Sequence, residues 1–298
     1  MEIKKYAAID IGSNAVRLLI ANIIIKKNKE PLYRKASLVR VPIRLGADSF
    51  VKGAVSDANI KRMIDAMNAF KLLMKVNGVE KFKACATSAI REAENGKEVV
   101  KKINKKTGIL IDIIDGKKEA AIIASTDLNE LIESDQSYLY VDVGGGSTEF
   151  TIFSKGKIIN SKSFKMGTVR LINNPKGVNK LIFKDVEQWI KLSTKGLKNL
   201  SLIGSGGNIN KIFKMSDRPL GRPLSYIYIK AHYEFLKQMS YNERIVELGL
   251  NPDRADVIIP ATKIYLNAMK WSGATKIYVP KIGLADGIIK GLHLGKFD

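Results

Sequence analysis

Two short stretches of this chain repeat one chemical idea: Ala8-Ile9-Asp10-Ile11-Gly12-Ser13-Asn14 and Val141-Asp142-Val143-Gly144-Gly145-Gly146-Ser147-Thr148-Glu149. Each sets an aspartate in an apolar run just before a turn of small residues, and each turn opens into a second apolar run. Glycine lets backbone N–H groups approach phosphate oxygens, and a neighbouring carboxylate can hold a divalent cation directly or through water. Two copies point to paired domains facing one cleft. A third turn, Ile203-Gly204-Ser205-Gly206-Gly207-Asn208, ends a strand pattern, and a helix beginning after it would aim N–H groups and a positive dipole end at an anion.

The elements that must position these residues follow from periodicity. Apolar runs at 6–11, 16–25 and 32–41 predict three successive strands. Ser56-Asp57 predicts a helix cap, and Ile60, Met63, Ile64, Met67, Phe70, Leu73 and Met74 follow at helical spacing as a core stripe. A strand at 83–86, a helix starting at 89–93, a strand at 110–114 and a long helix over 116–132 complete the first half. The order then recurs, with strands at 138–143, 148–153 and 157–164, a helix at 183–197 and a strand at 200–203. Helical patterns at 252–271 and 284–293 flank a strand at 277–279. The expected class is α/β, two related halves each with a mixed sheet, joined near 115–137 by a helix rather than a linker.

A chain of 298 residues can bury a substantial core and suits two domains. Its 50 Lys and Arg against 29 Asp and Glu, a formal net charge of +21, make polyanions natural partners. Charge alone does not choose among polyphosphate, phosphorylated nucleotides, nucleic acid and an anionic membrane. Of the basic clusters Lys26-Lys27-Lys29, Lys101-Lys102-Lys105-Lys106 and Lys117-Lys118, the last lies beside Glu119. Cys85 is the single cysteine, which excludes an internal disulfide, fits a reducing compartment and, within Ala84-Cys85-Ala86, reads as an inert core thiol. No uninterrupted apolar stretch is long enough to span a membrane, and Asp10, Asn14 and Arg17 break the N-terminal run, so a soluble, cytoplasmic protein is expected. His232 and His293 lie outside every motif, which argues against a histidine phosphatase or a His-rich metal site. Ser205 lacks a Ser-His-acid set, and neither a P-loop nor a dinucleotide fingerprint occurs.

The ordered motifs Asp10 to Asn14, Ala86-Thr87-Ser88-Ala89-Ile90-Arg91-Glu92-Ala93-Glu94-Asn95-Gly96, Glu119-Ala120, Val141 to Glu149, Met166-Gly167-Thr168-Val169-Arg170-Leu171, Gly204 to Gly207 and Arg254-Ala255-Asp256-Val257-Ile258 together resemble the exopolyphosphatase/guanosine pentaphosphate phosphatase family. The resemblance runs from about Tyr6 to Leu292. It implies a two-domain actin-like fold of two ribonuclease-H-like halves with an interdomain cleft, and Mg2+-dependent hydrolysis of a terminal phosphoanhydride. On that basis the first domain spans 1–118, open to completion by the C-terminal helix 286–298, and the second spans 119–285.

The same resemblance assigns roles. Glu119 would be the general base that activates water, with Glu149 the runner-up. Asp10 and Asp142 would hold Mg2+, with Glu149 binding it through water or orienting the nucleophile. Arg91 would offer a planar fork to phosphate oxygens, the alternative being an ion pair with Glu92 or Glu94. Arg17 matches an arginine near the substrate, while Arg170 and Arg254 are weaker candidates. Gly12, Ser13, Asn14, Gly144, Gly145, Gly146, Ser147, Gly206 and Gly207 would form the phosphate-binding turns.

Some positions depart from the family text. Ala15 stands where Ser is common, and Gly283-Leu284-Ala285-Asp286-Gly287 lacks the arginine of the usual Gly-Leu-Arg-Glu-Gly. The chain is also too short for the extra helical domain of longer members, so a less processive enzyme is expected. The expected partner is inorganic polyphosphate or guanosine pentaphosphate, with no specific nucleic acid, no membrane, and a homodimer allowed. A non-catalytic guanosine tetra- or pentaphosphate sensor and a sugar kinase of the same superfamily are the readings from other classes.

Overall fold

The computed structural model describes residues 1–126, 136–173 and 178–297. The chain divides into two compact units, Met1–Thr126 with Leu284–Asp298, and Asp127–Gly283. In the first unit the early apolar runs form strands β1 (Glu2–Ile11), β2 (Val16–Ile25) and β3 (Leu32–Val41). They pair as an antiparallel meander. Helix α1 (Leu45–Lys52) leads to α2 (Asp57–Val76), whose N-cap Ser56 accepts a hydrogen bond from the N–H of Asn59, as its sequence predicts. Ile60, Met63, Met67, Phe70 and Met74 are buried in the core, but Leu73 lies off that stripe and is 37% exposed.

Strand β4 (Lys81–Ala86) then joins β1 in parallel, and short α3 (Ser88–Glu92) and α4 (Gly96–Thr107) precede β5 (Ile111–Ile113), parallel to β4. The predicted start at 89–93 is thus a five-residue helix of its own. Between it and α4, the Asn95 amide pairs with both backbone groups of Val55, at 2.8 and 2.9 Å, which ties the break to another part of the unit. Helix α5 (Gly116–Ala124) begins under the Asp115 cap and stops well short of the expected residue 132. The Ser125 and Thr126 hydroxyls donate to the carbonyls of Ile122 and Ile123 and close its end, a local competition that these side chains favour. The rest of that expected helix, 127–132, lies outside the described residues. Cys85 is buried in this unit and its thiol is pushed up to about 12, by burial first and then by the charge of Asp112, as an inert core thiol should be.

The second unit repeats the plan with β6 (Ser137–Val143), β7 (Thr148–Ser154) and β8 (Lys157–Phe164), again an antiparallel meander. After α6 (Thr168–Asn173) and α7 (Val178–Thr194), β9 (Leu200–Ser205) joins β6 in parallel and α8 (Gly207–Met215) follows. Helix α7 ends three residues before the predicted 197, ahead of Gly196 in the left-handed region at φ 80°. Then come β10 (Leu224–Ser225), α9 (Tyr226–Gln238), α10 (Tyr241–Val246), α11 (Pro252–Ala255), α12 (Ile258–Ser272) and β11 (Lys276–Tyr278). The single helix predicted over 252–271 is two, parted at Asp256-Val257. The final helix, α13 (Leu284–His293), belongs to the first unit and packs on β1, β2, β4 and α5.

Among the described residues the sheets read β3-β2-β1-β4-β5 and β8-β7-β6-β9-β11-β10. The first five strands of each share one order and one pattern of directions, the ribonuclease-H-like plan expected of a duplicated α/β chain. The duplication reaches an irregularity: the outer hairpin of each sheet slips by one residue, after Ile20 in β2 and after Ile152 in β7. Among the described residues no helix is long and apolar enough to cross a membrane.

Candidate active site

The two aspartate turns superimpose in their hydrogen bonding. In the first, the N–H of Gly12 donates to the carbonyl of Ala15 at 3.2 Å; in the second, that of Gly144 donates to Ser147 at 3.0 Å. Each closure brings the chain back antiparallel, so the residue opposite the aspartate is fixed: Arg17 faces Asp10, and Glu149 faces Asp142. Equivalent positions therefore carry opposite charges.

In the first unit Arg17 Nη1 donates to Asp10 Oδ2 at 2.8 Å, with the carboxylate almost wholly buried. The Ser13 and Ser88 hydroxyls hydrogen-bond at 3.0 Å, both buried. The N–H groups of Arg44 and Gly46 donate to the carbonyls of Asn14 and Ser13, at 3.0 and 2.8 Å, which clamps the turn from the side of α1. Arg91 Nη1 donates to the carbonyl of Ile114 at 2.7 Å, at the mouth of α5. Glu119 sits in the first turn of α5, 9% exposed, its N–H bonded to the carbonyl of Asp115 and the Asp115 carboxylate capping Lys118.

In the second unit Glu149 is 2% exposed, and its Oε1 accepts hydrogen bonds from Ser147 at 2.6 Å and Ser163 at 2.8 Å. The carbonyls of Gly144 and Gly145 accept from the N–H groups of Thr168, Val169 and Arg170, and Arg170 Nε donates to Gly146 O at 3.0 Å. The start of α6 thus holds the glycine turn from behind. Gly167 makes that possible, since a Cβ there would lie 2.3 Å from the backbone of Gly145 and Gly146. Gly206 has φ 110°, and a Cβ on it would meet Val143 O at 3.0 Å and Asp142 Oδ1 at 3.4 Å. The Tyr265 hydroxyl donates to the carbonyl of Ser205, whose own hydroxyl donates to Ile282 O at 2.8 Å. Burial, then the Asp142 charge, pushes the phenols of Tyr140 and Tyr265 well above their usual range, so the ring hydroxyls near Asp142 stay neutral.

Asp10, Gly12, Ser13, Asn14, Arg17, Arg91 and Glu119 thus belong to the first unit, and Asp142, Gly144, Gly145, Gly146, Ser147, Glu149, Gly206 and Gly207 to the second. Sequence reasoning passed over Ser163, Arg44, Tyr140 and Tyr265, which stand in no small-residue turn and carry no motif of their own. Among the described residues no group of three or more His, Cys, Asp or Glu comes together as a metal cage. Asp142 and Glu149 are two adjacent hard oxygen donors, a set that fits Mg2+, which takes one or two carboxylates and completes its shell with water and phosphate.

Comparison with known proteins bears on the whole chain. It is 29% identical, over 96% of its length, to the bifunctional 3-dehydroquinate synthase/phosphatase of Fusobacterium nucleatum, of which it spans 46%. It is 22% identical, again over 96%, to exopolyphosphatase 1 of Mycobacterium tuberculosis, of which it spans 87%. The crystal structure of the Aquifex aeolicus Ppx/GppA family member aligns over 100% of both chains with a TM-score of 0.77 at 25% identity. The sequence profile of the Ppx/GppA phosphatase family matches residues 35–295, which takes in Arg91, Glu119 and the whole second turn. With that match and the doubled turn in agreement, the chain belongs to the Ppx/GppA phosphatase family.

Proposed function

We propose that this chain hydrolyses terminal phosphoanhydride bonds of inorganic polyphosphate and releases orthophosphate, with guanosine pentaphosphate as the alternative substrate. The observation that carries the reading is the pair of matched aspartate turns, closed by the same hydrogen bond in a chain of this family. Glu119 takes a proton from the attacking water as its oxygen bonds to the terminal phosphorus, while the bridging P–O bond breaks and the shortened chain leaves. Arg91, held in place by Ile114 O, presents its remaining donors to phosphate oxygens. Asp142 and Glu149 would hold Mg2+, which when bound neutralises phosphate oxygens, and Asp10 is the further carboxylate that the family resemblance assigns to the metal. Arg17, paired with Asp10 at 2.8 Å, stands beside the turn whose N–H groups would contact the substrate.

Phosphate release from long-chain polyphosphate and from guanosine pentaphosphate, measured in parallel with Mg2+, tests this. Glu119→Gln should lower kcat by about 100- to 10,000-fold, and the relative kcat/KM names the preferred substrate. Guanosine pentaphosphate bound without release by the wild type would instead identify a sensor.

A further inference from the structure

We propose that Ser163 is a positioning residue for Glu149, fixing the carboxylate orientation on which cation binding depends. This rests on the phosphohydrolase reading above. Ser163 lies on β8, directly opposite Glu149 on β7, which in turn lies opposite Asp142 on β6. One row of cross-strand partners thus runs serine, glutamate, aspartate. A glutamate's terminal torsion is broad and nearly two-fold, so burial alone does not decide where its oxygens point. Here two hydroxyls, Ser147 and Ser163, reach the same oxygen, Oε1, from opposite neighbours at 2.6 and 2.8 Å. Two donors converging on one oxygen define the carboxylate plane and turn Oε2 away from them. Donors that orient a metal-ligating carboxylate typically matter about 10- to 100-fold in affinity or activity.

The first unit sharpens the point. Arg40 takes the Ser163 position in its row, opposite Arg17, which is opposite Asp10. The same architectural place holds a cation where the row ends in an ion pair, and a neutral donor where the row carries two carboxylates. Ser163 is also exposed, on the outer strand of the meander, where water can satisfy a hydroxyl and a strand gains little from serine.

The test compares the wild type with Ser163→Ala and Ser163→Thr, the latter keeping a hydroxyl on the same β-carbon. Mn2+ binding to metal-free protein is followed by electron paramagnetic resonance, alongside kcat for polyphosphate and Tm. Ser163→Ala should keep its Tm, weaken Mn2+ binding about tenfold and lower kcat about tenfold, and Ser163→Thr should restore both. Wild-type Mn2+ affinity in Ser163→Ala, or no recovery in Ser163→Thr, overturns the proposal. If the wild type releases no phosphate from either substrate, the hydrolase reading fails on its own. The Mn2+ titrations then still decide, and a wild type that binds no Mn2+ overturns the positioning role as well.

Discussion

Gly206 shows how a single backbone angle can matter to a carboxylate. At φ 110° it occupies a region that L side chains rarely adopt, and a Cβ there would crowd Val143 O at 3.0 Å and the Tyr265 hydroxyl at 3.3 Å and touch Asp142 Oδ1 at 3.4 Å. Gly206→Ala should cost about 1–3 kcal/mol of stability and also displace Asp142, so Tm and phosphate release should fall together. Gly156 is the control, because at φ 71° a Cβ there would meet nothing within 4 Å. Gly156→Ala should lower Tm and leave kcat at the wild-type value; equal kcat losses in both variants would show that strain, and not the contact with Asp142, governs activity.

At the scale of elements, the joint between α1 and α2 depends on one carboxylate. Asp48 Oδ2 accepts from the Ser56 N–H at 3.0 Å, the Ser56 hydroxyl at 2.6 Å and the Asn59 amide at 2.7 Å. Burial raises its pKa, but the Ser56 and Asn59 donors and the Lys52 charge outweigh burial, and the net shift is downward. A carboxyl with a lower pKa folded than unfolded stabilises the fold above the unfolded value, about 3.9, and loses that contribution as pH falls through the folded value. Asp48→Asn should therefore lower Tm at neutral pH and flatten the fall in Tm below about pH 4; parallel Tm–pH curves would refute the role. Much of this architecture was legible from periodicity: β2, β3, β8 and α13 match their predicted spans, and the Ser56 cap sits where its residue type places it. What could not be read was register. The tight Lys155-Gly156 turn pairs Ser154 with Lys157 and Phe153 with Ile158, a count that would bring Lys162 opposite Glu149. The bulge after Ile152 moves the pairing by one and delivers Ser163 instead. A one-residue slip reverses which face each side chain takes, and no local propensity announces it. The end of α5 was hidden for a similar reason, since Ser125 and Thr126 are tolerated inside helices and become stops only when their hydroxyls turn back on the last carbonyls.

For the molecule as a whole, a net charge of +21 bears on how it meets a polyanion. Each phosphate neutralised by Lys or Arg releases condensed counterions, so affinity falls steeply with salt, and more steeply for a longer chain. KM for long polyphosphate should rise more between about 50 and 200 mM salt than KM for guanosine pentaphosphate; equal slopes would place the excess charge away from the substrate. The division of the chain has another consequence. The first unit is assembled from Met1–Thr126 and Leu284–Asp298, with α13 lying on β1, β2 and β4. The second unit is one unbroken stretch. A ribosome makes β1 before α13, so the sheet face that α13 covers must stay bare while all of the second unit is translated. Of the two units, the one begun earlier is therefore finished last, and its core closes only when the final helix arrives.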